Sequence, residues 1–320
     1  MRILLWHVHG SWTTAFLQGH HEYLLPVLPD RGPDGRGRAR TWDWPSRAEE
    51  VDPARLRDTE IDLVLLQRPH ELDLVAQWTG RRPGEDLPAV YLEHNTPGGP
   101  TPFSRHPVAD RGDLALVHVT HFNRLMWDNG RAPTTVIEHG VVDPGHHYTG
   151  ELGRAATAIN EPVRRGRAVG TDLLPGLTTA APVDVFGMGV AGLADALGLP
   201  PDRLGEYDDL PQEAMHAELA RRRVFVHPHR WTSLGLSLIE AMQLGMPVAC
   251  LATTEAPRAV PPEVGVASPD PAELQAFVRR MLADPDEATM IGRAARQHAL
   301  ARYGLKRFLG DWDRVLAAAT

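Results

Sequence analysis

The sequence lacks the features that mark several broad classes of protein. It has one cysteine, Cys250, in 320 residues, which excludes a disulfide framework and favours a reducing compartment. It has no run of about 18 apolar residues, so we expect no transmembrane segment. Residues 1–6 predict a strand and not a signal peptide. The formal net charge of −8 argues against nucleic acid as a main partner. We therefore expect a cytoplasmic protein.

The length and the apolar runs indicate a two-domain α/β protein. A chain of 320 residues with 42% hydrophobic residues can bury two cores of ordinary size. Short apolar runs separated by helical segments predict buried parallel strands, which favours a doubly wound arrangement. In the first half these runs are residues 2–8, 61–67, 89–93, 114–120 and 134–138. The predicted domains are residues 1–148 and 149–300, followed by a C-terminal helix in 301–320.

The most informative stretch is residues 225–250. An apolar strand ends at Pro228, a polar loop containing Gly235 follows, and a helix then runs to Gly245. A strand, a glycine-bearing loop and a helix N-terminus together direct backbone N–H groups at one point, which is typical of a phosphate site. Glu240, in the first turns of this helix, can reach hydroxyl groups of a ligand held by the loop.

The same stretch resembles the signature of the retaining GT-B glycosyltransferases of family GT4, which includes sucrose synthase and bacterial mannosyltransferases. Their signature is roughly E-G-F-G-L-x-x-x-E-A-M-x-x-G-x-P-V. Residues 232–248 read T-S-L-G-L-S-L-I-E-A-M-Q-L-G-M-P-V. Glu240, Gly235, Gly245 and Pro247 match the signature, whereas Thr232 replaces its first Glu.

The resemblance implies a fold and an activity. The fold would be GT-B, with two Rossmann-like doubly wound domains facing a central cleft and a last helix that crosses back to the first domain. The first domain would lie on the acceptor side of the cleft, and the second would bind the nucleotide sugar. The activity would be transfer of a sugar, with retention, from a UDP-, GDP- or ADP-linked donor, without a metal or another cofactor. We expect a small, soluble acceptor because the chain has no evident basic amphipathic helix for a membrane surface.

The resemblance also assigns the donor-binding residues. The family has a G-R-x-x-x-x-K-G segment whose Arg and Lys grip the donor diphosphate, and residues 159–166 read I-N-E-P-V-R-R-G. Arg165 stands at the Lys position and is expected to act in catalysis; Asn160 stands at the Arg position, with Arg164 able to substitute. Glu240 is expected on the ribose hydroxyls. The other expected donor-binding residues are His229, Thr232, Ser233, Leu234, Gly235 and Leu236.

Two residues of the first domain are also expected at the catalytic site. Gly10 follows the first predicted strand and fits the glycine-containing loop that the family keeps between donor phosphates and acceptor; a simple tight turn is the alternative. His94 follows the strand at 89–93, where the family commonly keeps a His facing the donor sugar; a packing role is the alternative. No metal site is predicted, because the histidine pairs lack the spacing of zinc ligands.

Other functions stay open at this point. A hydrolase or epimerase acting on nucleotide sugars would use the same fold. The missing first Glu also permits a non-catalytic nucleotide-sugar-binding protein. If the chain is a transferase, Thr232 predicts a donor sugar that is larger than, or differently hydroxylated from, common hexoses.

Overall fold

Two parallel β-sheets, each in its own structural unit, organise the chain. The computed structural model describes residues 1–40 and 42–320. Its first unit comprises Met1–Val142 and Leu305–Thr320, and its second comprises Asp143–Gly304. The predicted domain bounds, 148 and 300, lie within a few residues of these divisions; the roles assigned to the domains stay predictions.

The first unit contains a seven-stranded parallel sheet in the order β3-β2-β1-β4-β5-β6-β7. Its strands are Arg2–Leu5 (β1), Glu22–Pro26 (β2), Ala48–Val51 (β3), Leu63–Leu66 (β4), Ala89–Glu93 (β5), Ala115–His118 (β6) and Thr134–Val136 (β7). Its helices are Gly10–Phe16 (α1), Glu71–Thr79 (α2), His121–Met126 (α3) and, at the end of the chain, Leu305–Ala319 (α12), with short 3-10 helices at Pro53–Asp58 and Thr101–Phe103.

The second unit contains a six-stranded parallel sheet in the order β10-β9-β8-β11-β12-β13. Its strands are Leu152–Ala158 (β8), Val183–Gly187 (β9), Leu204–Asp208 (β10), Arg222–His227 (β11), Val248–Leu251 (β12) and Gly265–Ser268 (β13). Its helices are Pro162–Arg165 (α4), Leu174–Thr178 (α5), Leu193–Leu197 (α6), Gln212–Arg221 (α7), Leu236–Leu244 (α8), Ala256–Ala259 (α9), Pro271–Ala283 (α10) and Pro285–Tyr303 (α11), with 3-10 helices at Gly166–Val169 and Thr171–Leu173.

The strand orders confirm the predicted doubly wound α/β fold. The order of strands reverses beside β1 in the first sheet and beside β8 in the second. In such sheets ligands bind beyond the carboxyl ends of the strands at the point of reversal. The loops that follow β1 and β4 in the first unit, and β8 and β11 in the second, are therefore the places to look for a site. No helix in the described part of the chain is long and apolar enough to cross a membrane.

The first three strands of the first sheet differ from the prediction. The strand predicted at 2–8 ends at Leu5, and the chain then turns, with the N–H of Val8 donating to the carbonyl oxygen of Trp6. Strands β2 and β3 were missed. β3 is the edge strand, and Glu49 and Glu50 at its centre are exposed, so it lacks the apolar run of a buried strand.

Helix α12 packs on the first unit through one apolar stripe. Phe308, Trp312 and Leu316 are buried and recur every four residues, as one face of a helix requires. The ring of Trp312 lies 5.6 Å from that of Trp12 and 5.2 Å from that of Phe16. Aromatic burial of this kind is a large source of packing energy, so the last helix is an integral part of the first unit.

Replacing Trp312 with Ala should lower the free energy of unfolding by about 3–5 kcal/mol, because it removes a buried aromatic side chain and leaves a cavity. Urea denaturation followed by circular dichroism measures the change. Arg314→Ala on the same helix is the control, since its ion pair with Asp311 is exposed on the Arg side and worth little. Equal effects of the two substitutions would contradict this account of the packing.

Candidate functional site

Hydrogen bonds join the loops at the carboxyl edge of the second sheet in two pairs. The Oδ1 atom of Asn160 accepts from the backbone N–H of Met188 at 2.9 Å, which links the loops after β8 and β9. The hydroxyl of Thr253 donates to the carbonyl oxygen of His229 at 2.8 Å, which links the loops after β11 and β12. Asn160 and His229 follow the two strands that adjoin at the point of reversal, so this edge is the candidate site of the second unit.

Helix α8 begins at this edge with an open N-terminus. Gly235 is its N-cap residue, in extended conformation, and no side chain caps the helix. A Cβ atom at Gly235 would lie 2.3 Å from Cε1 of His227, so only glycine lets the loop pass this close to the buried ring. The first N–H groups of α8, beginning at Leu236, therefore have no capping side chain, and the positive end of the helix dipole favours an anion there.

The loop before α8 offers mainly its backbone and Thr232 to a ligand. Ser233 and Leu234 are each only 6% exposed, so their side chains point into the unit. Thr232, Gly235 and Leu236 are partly exposed. Among the donor-binding residues expected in this loop, Thr232 therefore has the most accessible polar side chain.

Two adjacent arginines near this edge differ in their partners. The guanidinium of Arg164 is ion-paired with Glu161 and is 69% exposed. Arg165, at the end of α4, has no carboxylate partner within the residues described. Burial, and then the neighbouring charge of Arg164, lower the pKa of Arg165 from its ordinary value, but an arginine side chain stays protonated. Arg165 is thus the half-buried cation that still needs a counter-charge.

Two buried histidines lie at the end of β11 and in the loop that follows it. The rings of His227 and His229 stack with centroids 4.1 Å apart. Burial lowers the pKa of His227 to about 4. Burial, followed by the charges of His227 and Arg165, holds the pKa of His229 well below its ordinary value. Both rings are therefore neutral near pH 7, and the positive potential here comes from Arg165 and the N-terminal start of α8.

Glu240 is held from one side by helix α7. Its carboxylate is 3% exposed. One oxygen lies 3.3 Å from Nε2 of His216, and the other accepts from the side-chain amide of Gln212 at 3.4 Å. Sequence reasoning missed His216 and Gln212 because they lie on a different helix; two polar residues at i and i+4 of α7 were the available signal. A carboxylate has spare lone pairs, so these contacts leave capacity for a ligand hydroxyl.

In the first unit, Gly10 and His94 lie at the carboxyl ends of β1 and β5. Gly10 starts helix α1, and a Cβ atom there would lie 2.2 Å from the Trp42 ring, so an indole covers this glycine. His94 is buried; its Nε2 lies 2.9 Å from Oε1 of Gln67, and its ring lies 4.1 Å from that of His9. Burial lowers the pKa of His94 well below its ordinary value. Trp42 and Gln67 were not singled out from the sequence.

Most of the expected site residues therefore lie at the carboxyl edge of the second sheet. In the second unit these are Asn160, Arg164, Arg165, His229 and Thr232–Leu236, with Glu240 one turn into α8. Gly10 and His94 belong to the first unit. The roles assigned to these residues stay predictions.

That the reaction needs no metal also stays a prediction. Among residues 1–40 and 42–320, one group of histidine and carboxylate ligand atoms lies within 4.8 Å of one another: His20, His21 and Asp313. In this group Nε2 of His21 and Oδ1 of Asp313 are 3.1 Å apart, which joins the loop after α1 to helix α12. The group belongs to the first unit and contains none of the residues expected to bind the donor.

Solved structures with the same arrangement of sheets define the class of fold. Sucrose-phosphate synthase from Thermosynechococcus elongatus is 15% identical over 100% of both chains, with a TM-score of 0.72. The Anabaena protein HepE, solved in complex with UDP, is 15% identical over 99% of both chains, with a TM-score of 0.70. A Rickettsia africae glycosyltransferase is 11% identical over 99% of this chain and 98% of its own, with a TM-score of 0.71. The chain has the GT-B fold.

A narrower match lies within the second unit. Residues 194–298, about a third of the chain, match the family model of the glycosyl transferases group 1. The matched segment includes the loop before α8, helix α8 itself and Glu240. No curated protein sequence gives a significant match to the chain.

Replacing Gly235 with Ala should lower the free energy of unfolding by about 1–3 kcal/mol, because the new methyl group would overlap the His227 ring, which is buried and stacked on His229. Chemical denaturation measures the loss. Gly153→Ala is the matched control in the same unit, since a Cβ atom there meets nothing within 4 Å. A Gly235 variant as stable as the Gly153 variant would contradict the close approach described above.

Proposed function

We propose that the chain is a retaining glycosyltransferase that moves a sugar from a nucleotide-diphosphate sugar to a hydroxyl of a small acceptor. The observation that carries this proposal is the pairing, at one sheet edge, of an uncompensated arginine with an uncapped helix N-terminus. Arg165 supplies a full charge, and the N–H groups of α8 supply a fixed partial charge. Together they suit a diphosphate leaving group.

The chemistry needs positive charge where the leaving group develops negative charge. The bond between the anomeric carbon and the diphosphate oxygen breaks, and a bond from that carbon to the acceptor oxygen forms on the same face of the sugar. The proton of the acceptor hydroxyl passes to the departing diphosphate. Groups that are already oriented towards the developing charge lower the barrier without reorganisation. Arg165 and the start of α8 are such groups, and this reaction requires no protein nucleophile.

Glu240 is proposed to hold the ribose of the donor. Its carboxylate is oriented by His216 and Gln212 and lies one turn beyond the N–H groups proposed to bind the diphosphate. An oriented, desolvated carboxylate makes strong hydrogen bonds to hydroxyl groups. The neutral rings of His227 and His229 add no charge that would compete with Arg165 for the phosphates.

The comparisons support the same type of chemistry. The segment that matches glycosyl transferases group 1 contains Gly235 and Glu240. HepE, which shares the fold, has been solved with UDP-glucose as well as with UDP.

Arg165→Ala should lower kcat/KM by about 10²–10³-fold, because it removes a charge aimed at the leaving group in the transition state. The loss should appear mainly in kcat. The matched control is Arg164→Ala, which removes the same side chain from a position already neutralised by Glu161; we expect a change of no more than about three-fold, as for an exposed ion pair. Steady-state assays of nucleotide release with each variant provide the measurement.

If the two alanine variants lose activity equally, the distinction between these arginines is wrong. Full turnover by a correctly folded Arg165→Ala variant would remove the main support for the proposed leaving-group stabilisation.

Thr232 is proposed to set the choice of donor sugar. Its side chain is the most accessible polar one among the donor-binding residues expected in the loop, and it is shorter than the Glu of the GT4 signature and uncharged. A site that pairs particular sugar hydroxyls discriminates strongly against sugars that lack them. The shorter residue leaves room for a larger or differently hydroxylated sugar.

A panel of UDP-, GDP- and ADP-linked hexoses, heptoses, deoxy sugars and amino sugars tests this assignment, with products read by mass spectrometry. We expect turnover with a donor outside the common hexoses, and we expect Thr232→Glu to shift the preference towards common hexoses by about ten-fold or more, as for a gained or lost hydroxyl contact. Thr232→Val is the control that keeps the size and removes the hydroxyl. Nucleotide binding without turnover of any donor would favour the non-catalytic binding protein, and release of free sugar without transfer would favour a hydrolase.

A further inference from the structure

The loop between β2 and β3 forms a pocket rich in arginine. Its volume is about 380 Å³, and it lies beyond the carboxyl ends of β1 and β2. The charged and polar residues that line it are Arg31, Arg36, Arg38, Arg40, His7 and Asp30. Four arginines in one small pocket are unexpected in a chain with a net charge of −8. The sequence signal was available as alternating arginines at 36, 38 and 40.

Two of the four arginines are used by the protein itself. Arg31 makes a two-pronged ion pair with the carboxylate of Glu50, with distances of 2.8 and 3.0 Å. Arg38 donates to backbone carbonyl oxygens, including that of Pro45 at 2.9 Å, and so fastens the loop. These two residues build the wall of the pocket.

The other two arginines are exposed to solvent. The guanidinium groups of Arg36 and Arg40 are exposed and have no ion pair or side-chain hydrogen bond in the described ranges of the chain. Asp30 is the one carboxylate of the lining, and its Oδ1 already accepts from the N–H of Gly32 at 3.2 Å. The arginines outnumber it, so the pocket carries net positive charge.

His7 gives the pocket a neutral hydrogen-bonding group. Its Nδ1 lies 3.2 Å from the carbonyl oxygen of Gly37. A carbonyl oxygen only accepts, so Nδ1 carries the hydrogen and Nε2 is left as an acceptor. Burial, and then the charge of Arg36, lower the pKa of His7 to about 4, so the ring is neutral near pH 7. A ligand that fits this pocket therefore combines an anionic group with hydroxyls.

We infer that this pocket binds the oxyanion of the acceptor, a phosphate or carboxylate on a hydroxylated small molecule, through Arg36 and Arg40. Guanidinium groups are well suited to both oxyanions because their paired N–H donors match two oxygens. The identification of this ligand as the acceptor rests on the proposed function. The binding of an oxyanion in the pocket is independent of that proposal.

Calorimetry on the full chain tests the pocket with three probes: glucose 6-phosphate, glucuronate and glucose. We expect one or both anionic sugars to bind and neutral glucose not to bind, and the difference between the two anions identifies phosphate or carboxylate. The double substitution Arg36→Ala/Arg40→Ala should weaken binding by about ten-fold or more, since each charged hydrogen bond is worth roughly that factor. Asp30→Asn should strengthen binding, because it removes the opposing charge and keeps an oxygen for Gly32.

Two further variants separate this pocket from other anion sites. Arg55→Ala removes an exposed arginine elsewhere in the first unit and should leave binding unchanged. Arg165→Ala reports on the separate anion site proposed in the second unit, and binding that survives this substitution belongs to the pocket. The inference is overturned if neither anion binds, if the double variant binds as well as the parent, or if only Arg165→Ala abolishes binding.

Transfer assays distinguish failure of this inference from failure of the proposed function. With an active donor, the double variant should raise KM for an anionic acceptor and leave nucleotide affinity unchanged. If the anions bind through Arg36 and Arg40 but no donor is turned over, the pocket stands and the transferase proposal fails. If the parent chain and the double variant both transfer to neutral sugars as efficiently as to anionic ones, the acceptor assignment fails and the transferase proposal stands.

Discussion

The unpaired charge of Arg165 is the feature on which the candidate site depends. A half-buried guanidinium without a carboxylate is costly, because its lost hydration is not replaced by a partner. The groups around it relieve that cost only in part: His227 and His229 are neutral, and Glu161, whose charge attracts Arg165, is ion-paired with Arg164. A bound anion would supply the missing counter-charge. The same arrangement that is unfavourable in the free protein thus favours a phosphate-bearing ligand.

Several histidines of this chain are buried and neutral near pH 7. Burial lowers the pKa values of His94, His227 and His229, so these rings act near pH 7 as packing groups and hydrogen-bonding groups without charge. Protonating them would place further cations in a low-dielectric environment. At the candidate site of the second unit the positive potential therefore comes from arginine and from the start of α8. Such a localised potential fixes the position of an anion more narrowly than a diffuse basic surface would.

Much of the fold could be predicted from the sequence, because buried parallel strands appear as continuous apolar runs. Strands such as β4 and β5 were found in this way, and the resemblance over residues 232–248 indicated the GT-B fold. The exposed edge strand β3 could not be found, because half of its residues face solvent. The ion-pair partners of individual side chains could not be predicted either. Arg164 and Arg165 look equivalent in the sequence, and only the folded chain shows that Glu161 pairs with Arg164.

The location of the charges follows from the parallel sheets themselves. All strands of a parallel sheet end at one edge, and the connecting helices cover both faces, so polar loops can gather only at the two ends. Arg165 follows β8, whereas Arg36 and Arg40 follow β2, each beyond the carboxyl edge of its own sheet. Each loop also holds an arginine that a carboxylate neutralises: Glu161 pairs with Arg164, and Glu50 pairs with Arg31. Arg165, Arg36 and Arg40 are not used in this way by the fold, and they lie where the carboxyl edge of each sheet can receive an anionic ligand.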